Sequence, residues 1–491
     1  MKKYLLFIII SFILIGGLTY YFVKPKEKEE ETSQDYLTKA EEYLDDKQYS
    51  KALEQLKLAI NTDPSNAEAY LQAADVYLLK SDFDKAVEIL QNGETTVTRA
   101  DLIYHKIGQI LFENNKIEEA MQYFELANSD NPNNWENAID LVKSYSHYQD
   151  KKSTAIEVLE NINLTEGKGY VAKNYYLALL SYDNIGTAIT FLESAQNQAE
   201  EDLKGKIEKY LEVARKVQTD PEDIVQNNTL LAYELIRGEL YGIAVLPLEN
   251  AISENDEYYA AFMYIGICYM KMSDLEKARE NLEKSVTIEP DEIQPYLFLA
   301  QVYTLLNNQQ SSIDTYENAL NIDKTVETVR YDFAKTLIYF ELYQQARLEY
   351  KELINLNTQN IIQYKIELAA LDLDFLDDYE EGLSLAKEVV EDWEDFKNTA
   401  KEMQAKALDI LGWAYEKNNQ KDEALKYLRR SLETYPYLTS AYYHLGIIYN
   451  EIENFSEARL NFERAIDLDT EGKISAKANN ELENLSKSDT E

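Results

Sequence analysis

A small residue returns along this chain at a nearly fixed interval: Ala52, Ala86, Ala120, Ala155, Ala188, Ala244, Ala278, Ser312, Ala346, Gly382, Ala424 and Ala458. The successive spacings are 34, 34, 35, 33, 56, 34, 34, 34, 36, 42 and 34 residues, so eight of the eleven lie within one residue of 34. Between these anchors the apolar residues fall at helical spacing in two stretches. The first stretch carries its own small residue, at Ala40, Ala74, Gly108, Ala232, Gly266, Ala300, Ala334, Ala370, Gly412 and Gly446. If the two small residues oppose one another, two helices can cross closely with larger neighbours filling the flanks. Each period is therefore expected to be an antiparallel helix pair. One pair cannot bury its apolar face alone, so successive pairs must stack.

The rest of the pattern falls into register on these anchors. Residues 259–292 carry Phe262, Ile265, Gly266, Tyr269, Ala278, Leu282, Ser285 and Pro290; residues 405–438 carry Leu408, Leu411, Gly412, Tyr415, Ala424, Leu428, Ser431 and Pro436. The same order recurs in 101–134 and 439–472. From about residue 33 to 472 the chain resembles tetratricopeptide repeat (TPR) proteins. The resemblance implies an all-α fold, an α-solenoid of about twelve TPR-like helix pairs. Of the 39 tyrosines, Tyr43, Tyr77, Tyr145, Tyr269, Tyr303, Tyr415 and Tyr449 share one repeat position, which makes them structural.

Irregularities divide the array. An N-terminal array is expected at 33–199, and within it 135–199 is degenerate, with Val142 and Tyr176 where the small partner should be. Residues 200–224 hold an insertion in which 201–217 reads as an extra amphipathic helix ending before Pro221, a candidate seam. A C-terminal array is expected at 225–472, with Pro247 kinking or restarting one helix and a lengthened connection near Trp393 to Lys401. Residues 473–491 would form a capping helix and tail.

Ahead of the repeats, the short segment 1–3 leads into Tyr4 to Val23, twenty residues without a charge, followed by a charged linker at 24–32. As a helix that stretch would be roughly 30 Å long, the thickness of a bilayer's hydrocarbon core, so 4–23 is expected to be a transmembrane anchor preceding the solenoid. A cleaved signal peptide is the competing reading, with a shorter apolar core. Lys2 and Lys3 argue for an inside N-terminus against Lys24, Lys26 and Lys28 beyond the span. The expected location is the cell membrane, single-pass, with the large domain extracytoplasmic.

Charge and motif content exclude several functions. With 89 acidic against 49 basic residues the net charge is −40, a field that repels nucleic acid. One cysteine, Cys268, forbids a disulfide framework or a CxxC metal site. His105, His147 and His444 show no metal-ligand spacing. Gly167, Gly169 and Ala172 fit GxGxxA but follow no strand. The acidic run at 371–381, with Asp372, Asp374, Asp377 and Asp378, lacks the loop glycine of a calcium site and puts Leu376 at a ligand position. No catalytic residue, cofactor or metal is expected.

What remains is a surface. In TPR proteins first helices line a concave face, and the positions that point into it correspond here to Met263, Ile267, Met270, Leu297, Tyr331, Ile338, Trp413, Tyr443 and Ile447. Towards the N-terminus they are Glu41, Asp75, His105 and Gln109, giving a polar half and an apolar, aromatic half. Methionine and aromatic side chains suit capture of a protein or peptide segment; inter-repeat core is the adjoining alternative for each. The Lys and Asn set that clamps a C-terminal carboxylate in some TPR domains is absent, with Lys335, Lys406 and Lys143 the only basic residues at those positions. The expected function is a non-enzymatic, membrane-anchored scaffold mediating protein–protein interaction in assembly of an envelope complex. The alternative is a holdase or accessory chaperone.

Overall fold

A computed structural model of the chain describes residues 31–391 and 399–488. The first five helix pairs are Ser33–Asp45 with Tyr49–Thr62 (α1, α2), Ala67–Leu79 with Phe83–Gly93 (α3, α4), Ala100–Glu113 with Ile117–Asp130 (α5, α6), Trp135–Tyr145 with Lys152–Glu160 (α7, α8) and Gly167–Leu180 with Ile185–Gln196 (α9, α10). A lone helix, Glu201–Thr219 (α11), follows. Four more pairs are Ile224–Arg237 with Tyr241–Glu254 (α12, α13), Tyr259–Lys271 with Leu275–Ile288 (α14, α15), Ile293–Leu305 with Gln309–Ile322 (α16, α17) and Glu327–Tyr339 with Tyr343–Asn355 (α18, α19). The last three are Ile361–Asp374 with Tyr379–Glu391 (α20, α21), Lys401–Lys417 with Lys421–Thr434 (α22, α23) and Thr439–Glu451 with Phe455–Leu468 (α24, α25), before the cap Lys473–Ser488 (α26). The described residues thus form an all-α solenoid of 26 helices, in which α11 and α26 lie where an extra helix and a cap were expected.

Local sequence sets each boundary. The turn inside a pair puts one residue in the left-handed region, at Lys47, Ser81, Asn115, Ser273, Asn307, Glu341, Asn419 and Glu453, with φ from 52° to 60°. The second helix is then opened by a side chain that accepts the amide hydrogen of its third residue, as Asp82, Asp274, Asn308 and Asn454 do. Pro64, Pro132, Pro290 and Pro436 stand two residues past the ends of α2, α6, α15 and α23, where a helix cannot continue. Pro247 lies inside α13, which runs on past it.

The small residues mark the close crossing, and the space they leave is filled by a larger neighbour. An ideal Cβ on Gly266 would fall 2.5 Å from Leu282 Cγ and 3.2 Å from the Ala278 carbonyl oxygen, and one on Gly446 would fall 2.5 Å from Phe462 Cδ1. The hole left in the first helix receives a large side chain from the second, one turn beyond the second helix's own small residue, which lets the backbones approach. Leu282 and Phe462 are fully buried in consequence. The tyrosines at the shared position tie one pair to the one before: Tyr303 and Tyr145 donate their hydroxyls to Glu283 and Glu125, at 2.5 and 2.8 Å.

The degenerate stretch packs differently. Helix α9 is buried nearly all round, from Val171 and Ala172 to Tyr175, Leu179 and Leu180. Helix α11 buries Ile207, Tyr210, Leu211 and Ala214 where it packs on the α9–α10 pair, and Tyr210 donates to the Ala178 carbonyl at 3.2 Å. One buried cluster runs unbroken through these residues from Ala67 to Cys268. Beside it α13 reaches back to the α7–α8 turn: a Cβ on Gly242 would lie 2.3 Å from the Ser146 carbonyl oxygen, and Lys143 pairs with Glu239 at 2.8 Å.

The two ends of the array meet. Arg464 on α25 donates to the carbonyls of Asp46 and Lys47, each at 3.1 Å, at the C-terminus of α1. Asp467, one turn further, accepts the Ser50 amide hydrogen at 2.7 Å, in the first turn of α2. A cation thus meets the negative end of one helix and an anion the positive end of the next, and both satisfy backbone groups that have no partner within their own helix. Lys80 donates to the Ile466 carbonyl at 3.0 Å and completes the contact.

The expected single-pass membrane location is corrected. Among the described residues no helix is long and apolar enough to cross a membrane. The longest, α11, has 19 residues and is interrupted by charges, and the apolar stripes of the others are taken up by neighbouring helices. The anchor expected at 4–23 lies outside the described residues, as does most of the lengthened connection after α21. Neither a membrane anchor nor an extracytoplasmic domain is carried forward.

Two glycine substitutions should separate knob-into-hole packing from helix propensity. Gly266→Ala should destabilise by about 1–3 kcal/mol through overpacking, with amide exchange rising first in α14 and α15. Gly205→Ala, where a Cβ meets nothing within 4 Å, should instead stabilise by about 0.5–1 kcal/mol. Denaturant unfolding with exchange mass spectrometry reads both, and equal signs for the two variants would contradict the packing scheme.

Candidate partner-binding groove

The apolar residues expected to line the groove are placed in three neighbourhoods. Met263, 4% exposed, is packed with Leu282 and Val302, with Ile267 and Met270 half-buried at its side. Tyr331 and Ile338 are half-buried on the next cluster, and Tyr331 donates to Glu367 at 3.0 Å. Trp413, Tyr443 and Ile447 lie in the C-terminal repeats, and Leu297 is half-buried between the first two sets. The structure brings Trp413 and Tyr443 together at one cavity of about 510 Å³ and leaves the others outside it.

That cavity is built across α20, α22, α24 and α26. Trp413 is 8% exposed; its ring lies flat on His444, centroids 4.2 Å apart at 9°, and its indole N–H donates to Asp374 at 2.8 Å. Asp409, buried beneath, accepts the Ser440 hydroxyl at 2.5 Å and contacts His444 Nδ1 at 2.8 Å. Lys417 holds its ammonium 4.6 Å from the Trp413 ring centroid, a cation–π contact. Ile410, Ile474 and the half-buried Tyr443 supply apolar wall, and Lys406 and Lys477 stand at the rim. Both carboxylates of the cavity are thus engaged from within, while three lysines line it.

Trp413 and Tyr443 were legible from repeat position; His444, Asp409, Ser440 and Asp374 were not. A signal existed in the offset, since Asp409 and His444 are 35 residues apart on neighbouring first helices. His105 and Asp140 share that offset at 2.9 Å in the N-terminal half. There Gln109 also donates to Asp140 at 2.9 Å, and Asp75 pairs with Lys106 at 2.6 Å, so the polar positions link one pair to the next. Glu41 is exposed.

Part of the acidic run at 371–381 is paired within the fold. Arg347 sits 2.9 Å from the buried Asp372 and 2.6 Å from Asp378. Burial pushes the Asp372 carboxyl up to about 6, and its hydrogen bond to Arg347 holds Asp378 below the usual carboxylate range. Among the described residues no group of three His, Cys, Asp or Glu could hold a metal ion. Cys268 is buried, and burial pushes its thiol well above the ordinary range.

With this geometry in place, the similarities are consistent. Tetratricopeptide-repeat models match residues 43–94, 102–134, 260–292, 293–325, 405–438 and 439–471, so the chain carries tetratricopeptide repeats in both halves of its array. It is similar to the BBSome complex member BBS4 homolog of Drosophila melanogaster, 23% identical over 288 residues, 56% of this chain and 54% of that protein. It is similar also to anaphase-promoting complex subunit 3 of Schizosaccharomyces pombe, 23% identical over 141 residues, 29% of this chain and 21% of that one. The chain spans about half the length, or less, of these curated relatives. Among solved structures, yeast Tom70 matches over 93% of this chain and 96% of its own at 14% identity, with a TM-score of 0.36.

The pair Glu416 and Glu451 generates a pH dependence. Burial, reinforced by the hydrogen bond that the protonated Glu416 donates to Glu451, pushes the Glu416 carboxyl from 4.5 up to about 7. A carboxyl whose folded pKa is raised adds stability below about 4.5 and loses it as pH rises through about 7. Glu416→Gln should therefore stabilise the protein at pH 8 by on the order of 1–3 kcal/mol and have little effect at pH 4.5. Thermal unfolding across pH 4.5–8 checks it; a constant gap between the two proteins would rule out Glu416 as the source.

Proposed function

We propose that this chain is a non-enzymatic binding scaffold, a TPR solenoid whose C-terminal concave cavity holds a segment of a partner protein. The observation that carries this reading is the cavity at Trp413, Tyr443 and His444. It combines aromatic walls with apolar surface at Ile410 and Ile474, and its polar floor is already satisfied, so an entering side chain need not pay to desolvate an unpaired carboxylate. Met263, Ile267, Met270, Tyr331, Ile338 and Ile447 belong to the same proposal as flanking surface. The two relatives are named as members of multi-protein complexes, which supports a scaffold role.

A holdase is the second reading, favoured by one feature. Leu305 and Tyr339, each 61% exposed, and Phe375, 50% exposed, recur at the turns of successive pairs and give an apolar edge to α16, α18 and α20. Such an edge suits transient contact with unfolded apolar segments.

Two variants distinguish the readings. Tyr443→Ala and Ile474→Glu should remove a stoichiometric partner recovered with the native protein, while helicity and Tm stay within a few degrees. Leu305→Ser with Tyr339→Ser should leave that partner bound. Retention of the partner by both folded cavity variants, with client aggregation suppressed by the native protein and not by the edge variant, would favour the holdase instead.

A further inference from the structure

Successive helix pairs are joined through apolar surface, as in the buried cluster that runs from Ala67 to Cys268. The seam where the two ends meet is not. Leu37, Tyr49 and Leu56 pack within the first two pairs, and Phe462, Ala478 and Leu485 pack between the last pair and the cap. Ala405, Leu438 and Ala441 join the eleventh pair to the twelfth. None of these buried clusters takes residues from both sides of the seam.

What crosses the seam is polar, and it follows the repeat. Lys47 and Ser81 are the left-handed turn residues of the first and second pairs, with φ of 52° and 53°. Lys47 donates to the Tyr435 hydroxyl at 3.2 Å and lies over the Tyr437 ring, just past α23. Ser81 donates to the Thr470 carbonyl at 2.5 Å, just past α25. The first turn thus meets the end of the eleventh pair, and the second turn meets the end of the twelfth. Between them Arg464 and Asp467 take up backbone groups of the first turn, and Lys80 donates to the carbonyls of Ile466 and Asp467 at 3.0 and 3.4 Å. Burial holds the Lys80 ammonium below the ordinary lysine range, so seating it costs hydration. A hydrogen bond exchanged for one to water changes the free energy little, whereas parting an apolar contact exposes surface. The seam is therefore the junction that opens with little loss of buried apolar area.

We propose that the seam is a clasp: the array exchanges between a closed form, with the α1–α2 and α3–α4 turns seated on the last two pairs, and an opened form in which the helix pairs stay folded and both edges face water. Opening frees Arg464 and Asp467 and uncovers the rings of Tyr435 and Tyr437. A ligand that binds one form better draws the population towards it, which gives the array a switch separate from unfolding.

The test uses the full chain with nitroxide labels at Lys51→Cys and Glu463→Cys, exposed positions that line one cavity of about 650 Å³ at the seam, with Cys268 buried. Pulsed dipolar spectroscopy should give mainly the short distance of the closed form. Arg464→Ala with Asp467→Ala should make a longer distance the major one, and Lys80→Gln with Ser81→Ala, which cuts the seam from its other side, should shift it the same way. Asp467→Asn keeps an acceptor for the Ser50 amide hydrogen and should open the clasp less than Asp467→Ala. In the opened variants the Ser50 amide should exchange its hydrogen about tenfold faster or more, while the amides of Leu56 and Phe462 keep their protection and Tm stays within a few degrees. A short distance indifferent to both double variants would overturn the clasp, because the rest of the array would then be holding the ends together. A long distance alone in the native protein would remove the closed form. Protection lost throughout the first and last pairs in both variants would make the seam part of the folded core. A short distance that grows in only as protein concentration rises would assign the contact to a second copy of the chain.

Discussion

Everything in this fold depends on a large side chain of one helix entering a hole left by a small residue of its partner. Leu282 over Gly266 and Phe462 over Gly446 are two instances. The contact fixes how near two backbones come and at which residue they cross. Because each pair exposes an apolar face when alone, the same contact commits the chain to stacking, and stability becomes a sum of neighbouring interfaces. Tyrosine hydroxyls then tie pair to pair, as Tyr303 does with Glu283.

The departures from regular stacking follow from where that contact fails. Val142 and Tyr176 stand in place of small residues in α7 and α9, and α9 is covered on nearly every side. The inserted α11 takes over part of its burial. Meanwhile the α12–α13 pair comes up against the α7–α8 turn, where Gly242 allows an approach that no Cβ would permit.

Closure is a separate device. Every helix leaves amide hydrogens at its start and carbonyls at its end without partners of its own, and most are met by water or a local cap. At the α1–α2 turn they are met by Arg464 and Asp467, spaced one helical turn apart on α25. Two side chains on one helix face thereby recognise a turn more than 400 residues away in sequence. The same approach brings Lys47 onto the Tyr437 ring, 4.7 Å from its centroid.

Much of this was legible in the chain itself. The period, the twelve pairs, the extra helix after residue 200 and the cap after residue 473 are all carried by local pattern, because spacing, capping residues and prolines act over a few residues. Trp413 and Tyr443 were legible as candidates for the same reason, since repeat position marks the first-helix face. The sequence could not say that Trp413 would be nearly buried on His444, or that Asp409 would be spent on Ser440 and His444. Those contacts join residues about one repeat apart, and their geometry depends on how far each pair rotates on the last. The meeting of the ends lay further still from view. It is the accumulated result of all those rotations, and no single residue encodes it; only the tertiary structure brings Lys47 to Tyr437 and joins the two ends.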